Sequence, residues 1–240
     1  MASHRSPMEC GHGQHSSKRT PMNLLALPDL HQDLRRLDAL AAPLAQADVV
    51  LLAGDLTNAT GAAGAAQVIE AFRAHNPSVL AVPGNWDDPA ACAYLGSQGV
   101  SIDRRHRIIK GVAFAGVGGA LPSPSRTPNE RSETQLAHDL EQAVDGLDPA
   151  IPLVLVCHQP PLRTRADQTW GGGHAGSAAV RSFIERRQPL ICFCGHIHEG
   201  VGIDQIGGTQ VANPGPLWMG GYAWAKILSG VASVACRTVE

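Results

Sequence analysis

DVVLLAGDLTN, residues 48–58, sets an unbroken apolar run, Val49–Ala53, directly against a Gly54-Asp55 turn. Four other stretches repeat the arrangement. LLALPDLH (24–31) ends in Asp29 and His31, and SVLAVPGNWDD (78–88) passes into Gly84-Asn85. PLVLVCHQP (152–160) delivers His158, and PLICFCGHIHE (189–199) ends in Gly195-His196-Ile197-His198. Short apolar runs bounded by turn residues read as strands buried on both faces, the pattern of parallel strands in an α/β sheet. Ligand-bearing residues in such sheets collect beyond the carboxyl ends of the strands. Two Asp, one Asn and four His are thereby expected along one edge. That donor set suits two divalent metals, and paired metals point to phosphoester hydrolysis.

Between these runs the sequence alternates strand and helix from Met22 onward. The first strand is Asn23–Leu27. A helix is expected from about Asp33 to Gln46, where Leu34, Leu37, Leu40 and Leu44 recur at helical spacing. Strands are expected at Asp48–Ala53 and Ser78–Val82, and helices at Ala62–Ala74 and Pro89–Gly96, the latter with Pro at a favourable first position. Val100–Ile109 and Val112–Val117 read as a hairpin around Lys110-Gly111. A Gly/Pro/Ser-rich loop (118–128) leads into a helix at Asn129–Gly146. Strand Pro152–Cys157 is followed by a long loop, 158–176, of the kind that often carries function. Then come helix Ser177–Arg187 and strands Pro189–Cys194, Val201–Asp204, Thr209–Ala212, Tyr222–Leu228 and Val231–Cys236. The later strands are expected to form a second sheet packed on the first.

The bulk composition narrows the function classes. The 240 residues are 44% hydrophobic, enough for a substantial core, and the expectation is one domain over 22–240. A formal charge of −2 argues against a general polyanion-binding surface, so nucleic acid is not the expected partner. No apolar stretch approaches the roughly 20 residues that span a bilayer. Residues 1–21 are polar, lack periodicity and read as a disordered tail, or as an extension upstream of a start at Met22. Cys10, His12 and His15 in that tail either bind metal or do nothing specific. The six cysteines lack a framework spacing, and Cys157, Cys192 and Cys194 fall in expected buried strands. They read as reduced and the location as cytoplasmic.

The ordered series Asp29-x-His31, Gly54-Asp55, Gly84-Asn85, His158, Gly195-His196-x-His198 resembles the calcineurin-like metallophosphoesterase superfamily, in particular its small prokaryotic branch. The resemblance runs over residues 22–228 and includes the Asn213-Pro214-Gly215 turn. It implies a four-layer α-β-β-α sandwich of two mixed β-sheets flanked by helices. It also implies one metal held by Asp29, His31, Asp55 and His198 and a second held by Asp55, Asn85, His158 and His196, with Asp55 bridging. The implied catalytic set is Asp55, Asn85 and His158. A hydroxide between the metals would attack phosphorus in a small-molecule phosphodiester or activated phosphoester. Carboxylate, amide and imidazole donors suit Mn, with Fe or Zn as alternatives. A nuclease of the same superfamily, or a metal-binding scaffold with little catalysis, are the competing readings. Oligomeric state is not legible.

One position departs from the resemblance. The motif is usually Gly-Asn-His-Asp/Glu, and here it is Gly84-Asn85-Trp86-Asp87. The usual His assists the leaving group. Trp cannot transfer a proton, although its indole N–H can donate a hydrogen bond, so diesters and activated esters are expected over alkyl monoesters. Trp86 is either a stacking platform for a flat group or a packed residue of the rim. His174 and Ser177, in GGGHAGS before a helix, either hold phosphate at the helix N-terminus or form a glycine-rich cap.

Overall fold

The structure is a computed structural model that describes residues 21–240. Residues 1–20, which make up nearly all of the expected tail and include Cys10, His12 and His15, lie outside the described residues.

Two mixed sheets stack face to face. The first contains β1 (Met22–Leu27), β2 (Val49–Ala53), β3 (Val79–Val82), β10 (Gly221–Leu228) and β11 (Val231–Thr238) in the order β11-β10-β1-β2-β3. The second contains β4 (Arg105–Ile109), β5 (Val112–Val117), β6 (Leu153–Cys157), β7 (Ile191–Phe193), β8 (Gly202–Ile206) and β9 (Thr209–Asn213) in the order β4-β5-β6-β7-β9-β8. Strands β1, β2 and β3 run parallel, as do β5, β6, β7 and β9. The remaining strands pair antiparallel.

The period of two in each strand divides its residues between two apolar layers. Leu24, Ala26, Val49 and Leu51 point between the sheets and meet Phe114, Val154, Val156, Ile191 and Phe193 from the other side. The alternate residues Leu25, Leu27, Val50 and Leu52 face outward onto α1 (Ala41–Gln46) and α2 (Gly61–Arg73). In the second sheet Ala113, Ala115, Leu153, Leu155 and Cys192 face outward onto α4 (Glu133–Ala143) and α5 (Ala178–Arg187). The result is four layers, helix-sheet-sheet-helix. Phe114 and Phe193 are fully buried in the central layer, where truncation of an aromatic ring to Ala costs about 3–5 kcal/mol.

Several expectations are corrected. The last two strands return to the first sheet instead of joining the second: β10 pairs antiparallel with β1, from Met22↔Ile227 to Ala26↔Ala223. The helix expected from Asp33 begins only at Ala41, after a 3-10 turn at Asp38–Leu40. His31 and Gln32 adopt left-handed backbone conformations, and their N–H groups bond to Asp55 and Leu56 carbonyls across the β1–β2 gap. That bonding is incompatible with helix. Leu37, Leu40 and Leu44 still enter the core. The helix expected from Asn129 starts at Glu133, where Ser132 and Gln135 form a capping box. The side chain of Asn129 turns instead to the Gly84 carbonyl. A nine-residue helix, α3 (Pro89–Ser97), is capped by Asp88 through the Ala91 N–H.

Candidate metal centre

All five motif-bearing strands are parallel strands, and their carboxyl ends meet along one edge of the sandwich. Asp29 and His31 follow β1, Asp55 follows β2, Asn85 follows β3, His158 follows β6, and His196 and His198 follow β7. Backbone hydrogen bonds join these loops: Asp29 N–H to Gly54 O at 2.9 Å, His31 N–H to Asp55 O at 2.8 Å, and Gly195 N–H to His158 O at 3.1 Å. Asp29, His31, Asp55 and His196 all have positive φ, between 48° and 68°. Non-glycine residues seldom adopt that region, and such strain gathers at functional sites.

The glycine before a donor makes room for a donor from another strand. A Cβ on Gly54 would lie 2.2 Å from His158 Nδ1, and one on Gly84 would lie 2.0 Å from Asp55 Oδ1. A Cβ on Gly195 would lie 2.6 Å from Asp29 Oδ2. The loops are therefore interlocked by contact as well as by hydrogen bonding.

Two donor groups result. In Asp29, His31 and His198, and again in Asp55, His158 and His196, the potential ligand atoms lie within 4.8 Å of one another. The two groups meet at Asp55, whose Oδ2 is 3.6 Å from His31 Nε2 and 3.4 Å from His158 Nε2. The Asn85 side chain oxygen lies 3.0 Å from His158 Nε2. Its amide nitrogen donates to Thr127 Oγ1, which in turn donates to Glu130, so the oxygen is the atom turned toward the donors. His31 and His158 are oriented in the same way. Their Nδ1 atoms lie 2.8 Å from Asn58 Oδ1 and 2.9 Å from the Ala53 carbonyl, which leaves Nε2 facing inward. Such outer partners fix the tautomer of a ligating imidazole. Four imidazoles, two carboxylates and one amide oxygen, aimed at a common space, fit divalent ions of borderline hardness.

Charge in the site is strongly coupled. Burial opposes the charge on His158, but Asp55 outweighs it and raises the imidazole to about 9. Both ring nitrogens then donate, and the Nε2 proton occupies the direction in which an ion would sit. Burial, reinforced by His158, lowers His196 to about 4. Burial works against ionisation of Asp55, but His158, His31 and the Trp86 N–H together hold the carboxyl below its ordinary value. His198 is raised by its interaction with Asp29.

Supporting residues around the donors were not legible as such. Asp87 is fully buried and accepts from the N–H groups of Leu56, Thr57 and Gly84 and from the Thr57 hydroxyl. It ties the turn after β2 to the turn after β3. Its place in the Gly-Asn-Trp-Asp motif was the signal available in sequence. Asn58 and Thr127 carried none.

The other expected site residues divide. Trp86 donates its backbone N–H to Asp55 Oδ1 at 2.8 Å, and the residue is 38% exposed. Ser177 is committed to structure: it caps α5 through the Val180 N–H and donates to Glu133 at 2.6 Å. Glu133 also accepts from the Ala178 and Ala179 N–H groups. The anion at that helix N-terminus is thus a carboxylate of the protein, and Ser177 serves as the cap, one of the two readings of this stretch. His174 is paired with buried Asp167, Nδ1 to Oδ1 at 2.7 Å, and the same carboxylate accepts from the Arg163, Thr164 and Gly176 N–H groups. Cys157, Cys192 and Cys194 are buried and free. Two cavities, of about 490 and 510 Å³, open near Met22, Lys110 and Lys226, at the opposite ends of the strands from the donors.

The sequence pattern of the calcineurin-like phosphoesterase superfamily domain matches residues 22–230, a span that contains every donor. The chain belongs to the calcineurin-like phosphoesterase superfamily. It is also 36% identical over 201 residues to an uncharacterised protein of Methanocaldococcus jannaschii, covering 81% of this chain and 88% of that one. Among solved structures, a Thermus thermophilus protein superposes with a TM-score of 0.70 at 20% identity, over 90% of this chain and 99% of its own. Purple acid phosphatase from yellow lupin seeds superposes with a TM-score of 0.59 at 12% identity, over 91% of this chain and 52% of its own. These two likenesses bear on the fold: the phosphoesterase sandwich of two mixed sheets is common to all three. Among the described residues no helix is long and apolar enough to cross a membrane.

Proposed function

We propose that this member of the superfamily is a dinuclear metal-dependent hydrolase of phosphodiesters or activated phosphoesters of small molecules. The observation that carries the reading is the position of Asp55 Oδ2, between His31 Nε2 and His158 Nε2 at 3.6 and 3.4 Å. A carboxylate placed there serves both donor groups. Asp29, His31, Asp55 and His198 would hold one ion, and Asp55, Asn85, His158 and His196 the other. Divalent ions in these positions would supply a water of lowered pKa and neutralise charge on the phosphoryl oxygens. Mn is the preferred ion, ahead of Fe or Zn.

The protein's own residues define the rest of the reading. Asn58, the Ala53 carbonyl and Thr127 hold the donors in orientation. No imidazole stands at position 86 to protonate a departing alkoxide, a role worth about 10² to 10⁴-fold in rate. Diesters and good leaving groups are accordingly preferred to alkyl monoesters. The folding unit is residues 22–240. The free, buried cysteines support a reducing, cytoplasmic setting.

The test is metal analysis of the purified protein together with hydrolysis of bis(p-nitrophenyl) phosphate by wild type and Asp55→Asn. The expected result is two ions per chain and Mn-dependent turnover, both lost in the variant. Two ions without turnover would make the chain a metal-binding scaffold. Near wild-type turnover of Asp55→Asn with both ions bound would remove the bridging assignment.

A further inference from the structure

Next to the first donor group lies a small pocket that the reading above leaves without a task. It encloses about 250 Å³ between Trp218 on one side and Asp33, Arg35 and Arg36 on the other. Trp218 sits on a 3-10 turn, Leu217–Met219, that is firmly seated: Leu217 is fully buried, and Gly220 closes the turn with φ 87°. The Trp218 ring meets the His198 ring edge-on at 6.0 Å, and His198 meets His31 at 5.6 Å. Asp33 is only two residues beyond His31. The pocket therefore adjoins the donors, and Trp218 as a whole is 41% exposed.

The lining selects the chemistry of an occupant. Asp33 binds Arg35 through both carboxylate oxygens, at 2.9 and 2.5 Å, and so neutralises it. Arg36 donates from one nitrogen to the Val239 carbonyl at 3.0 Å and keeps its remaining donors. A single unbalanced positive charge is weak provision for a second phosphate. A broad indole face with polar groups at its margin suits a flat ring that has hydrogen-bonding edges. The volume falls below that of sites for drug-sized ligands, which begin near 300 Å³, and is adequate for one heterocycle.

We propose that this pocket receives the base of a nucleotide substrate, stacked on Trp218 with its polar edge toward Arg36 and the Asp33–Arg35 pair. The phosphoester would then lie over the donors. This placement of the phosphate rests on the phosphoesterase reading, whereas the base pocket does not.

The experiment has two arms. The first compares thymidine 5′-(p-nitrophenyl phosphate) with methyl p-nitrophenyl phosphate, two diesters that share a leaving group, using Mn-loaded protein. Wild type is expected to favour the thymidine ester in kcat/KM by about tenfold or more. Trp218→Ala should bring that ratio near one, and Trp218→Phe should retain part of it. The second arm titrates adenosine, which carries no phosphate, into purified protein and follows tryptophan fluorescence. Quenching is expected in wild type and in Trp86→Phe and absent in Trp218→Phe. Equal rates for the two diesters in wild type, or a ratio unchanged in Trp218→Ala, would overturn the proposal. So would quenching that survives in Trp218→Phe. Trp218-dependent quenching without hydrolysis of either diester would leave the base pocket standing and remove the hydrolytic reading.

Discussion

Gly84→Ala is a single added methyl group that should disable the centre from behind. Gly84 has no positive φ, so the substitution tests space and not backbone conformation. The new Cβ would lie 2.0 Å from Asp55 Oδ1 and 2.1 Å from the Asp55 backbone nitrogen, roughly 1.4 Å short of ordinary van der Waals contact. Neither side yields easily. Asp55 Oδ1 accepts the Trp86 N–H at 2.8 Å, and the Asp55 carbonyl accepts the His31 N–H at 2.8 Å. Relief therefore moves the Asp55 carboxylate by about 1 Å or more, whereas ligand distances in metal sites tolerate about 0.2 Å. The expected result is loss of bound metal and a fall in kcat of about 100-fold or more. Overpacking should also cost about 1–3 kcal/mol, or a few degrees in Tm for each kcal/mol at this chain length. Gly96→Ala is the control. Gly96 lies in α3 with nothing within 4 Å of its added Cβ, and replacing it should stabilise by about 0.5–1 kcal/mol. Metal content by elemental analysis, thermal unfolding and diester hydrolysis read all three effects. Wild-type metal content and turnover in Gly84→Ala would refute the interlock.

The raised His158 and the lowered His196 predict that the metal-free protein is most stable near pH 6.5. His158 stabilises while protonated, and that contribution disappears as pH rises from 6.5 through about 9. His196 stays neutral when folded, so its contribution disappears as pH falls from 6.5 through about 4. Metal must displace the His158 proton, so affinity should climb over the same upper window, by up to tenfold per pH unit. A metal-free Tm that rises from pH 6.5 to 9, or an affinity flat across it, would contradict this. Trp86→His should raise alkyl monoester hydrolysis relative to diester hydrolysis, by up to about 10²; an unchanged ratio means position 86 does not face the leaving group. Removal of residues 2–21 should leave Tm and metal content as they are, and a large drop in either would show that the domain extends upstream of Met22.

The placement of the seven candidate donors at strand ends was legible because each follows a short apolar run bounded by turn residues, the mark of a strand buried on both faces. The turn after each run can project a side chain only at the sheet edge. The sheet membership of β10 was not legible, since an apolar strand such as Gly221–Leu228 satisfies either sheet equally and the choice lies in backbone pairing with β1. The false start at Asp33 has a similar origin. Leucine spacing there is helical, but long-range bonds from His31 and Gln32 to the β2 turn take precedence. Glu133 as the cap of α5 joins residues 44 to 46 positions apart, with no local mark. Trp218 approaches His198 only because the turn after β9 folds back over the β7 loop.

The return of the last two strands to the first sheet has a consequence for assembly. Asp29 and His31 follow β1, yet one of its two neighbours, β10, is about 200 residues away. The first sheet is incomplete until the far end of the chain arrives, and the donors of the second sheet have no counterpart until the sheets dock. Pairings between such distant segments form late, after the loop-closure entropy of everything between them has been met. On the dinuclear reading proposed above, ion capture needs donors from both sheets and is expected late in folding, after the sheets dock. Added ions should then leave the refolding rate unchanged and slow only unfolding, so that metal would act as a latch and not as a template.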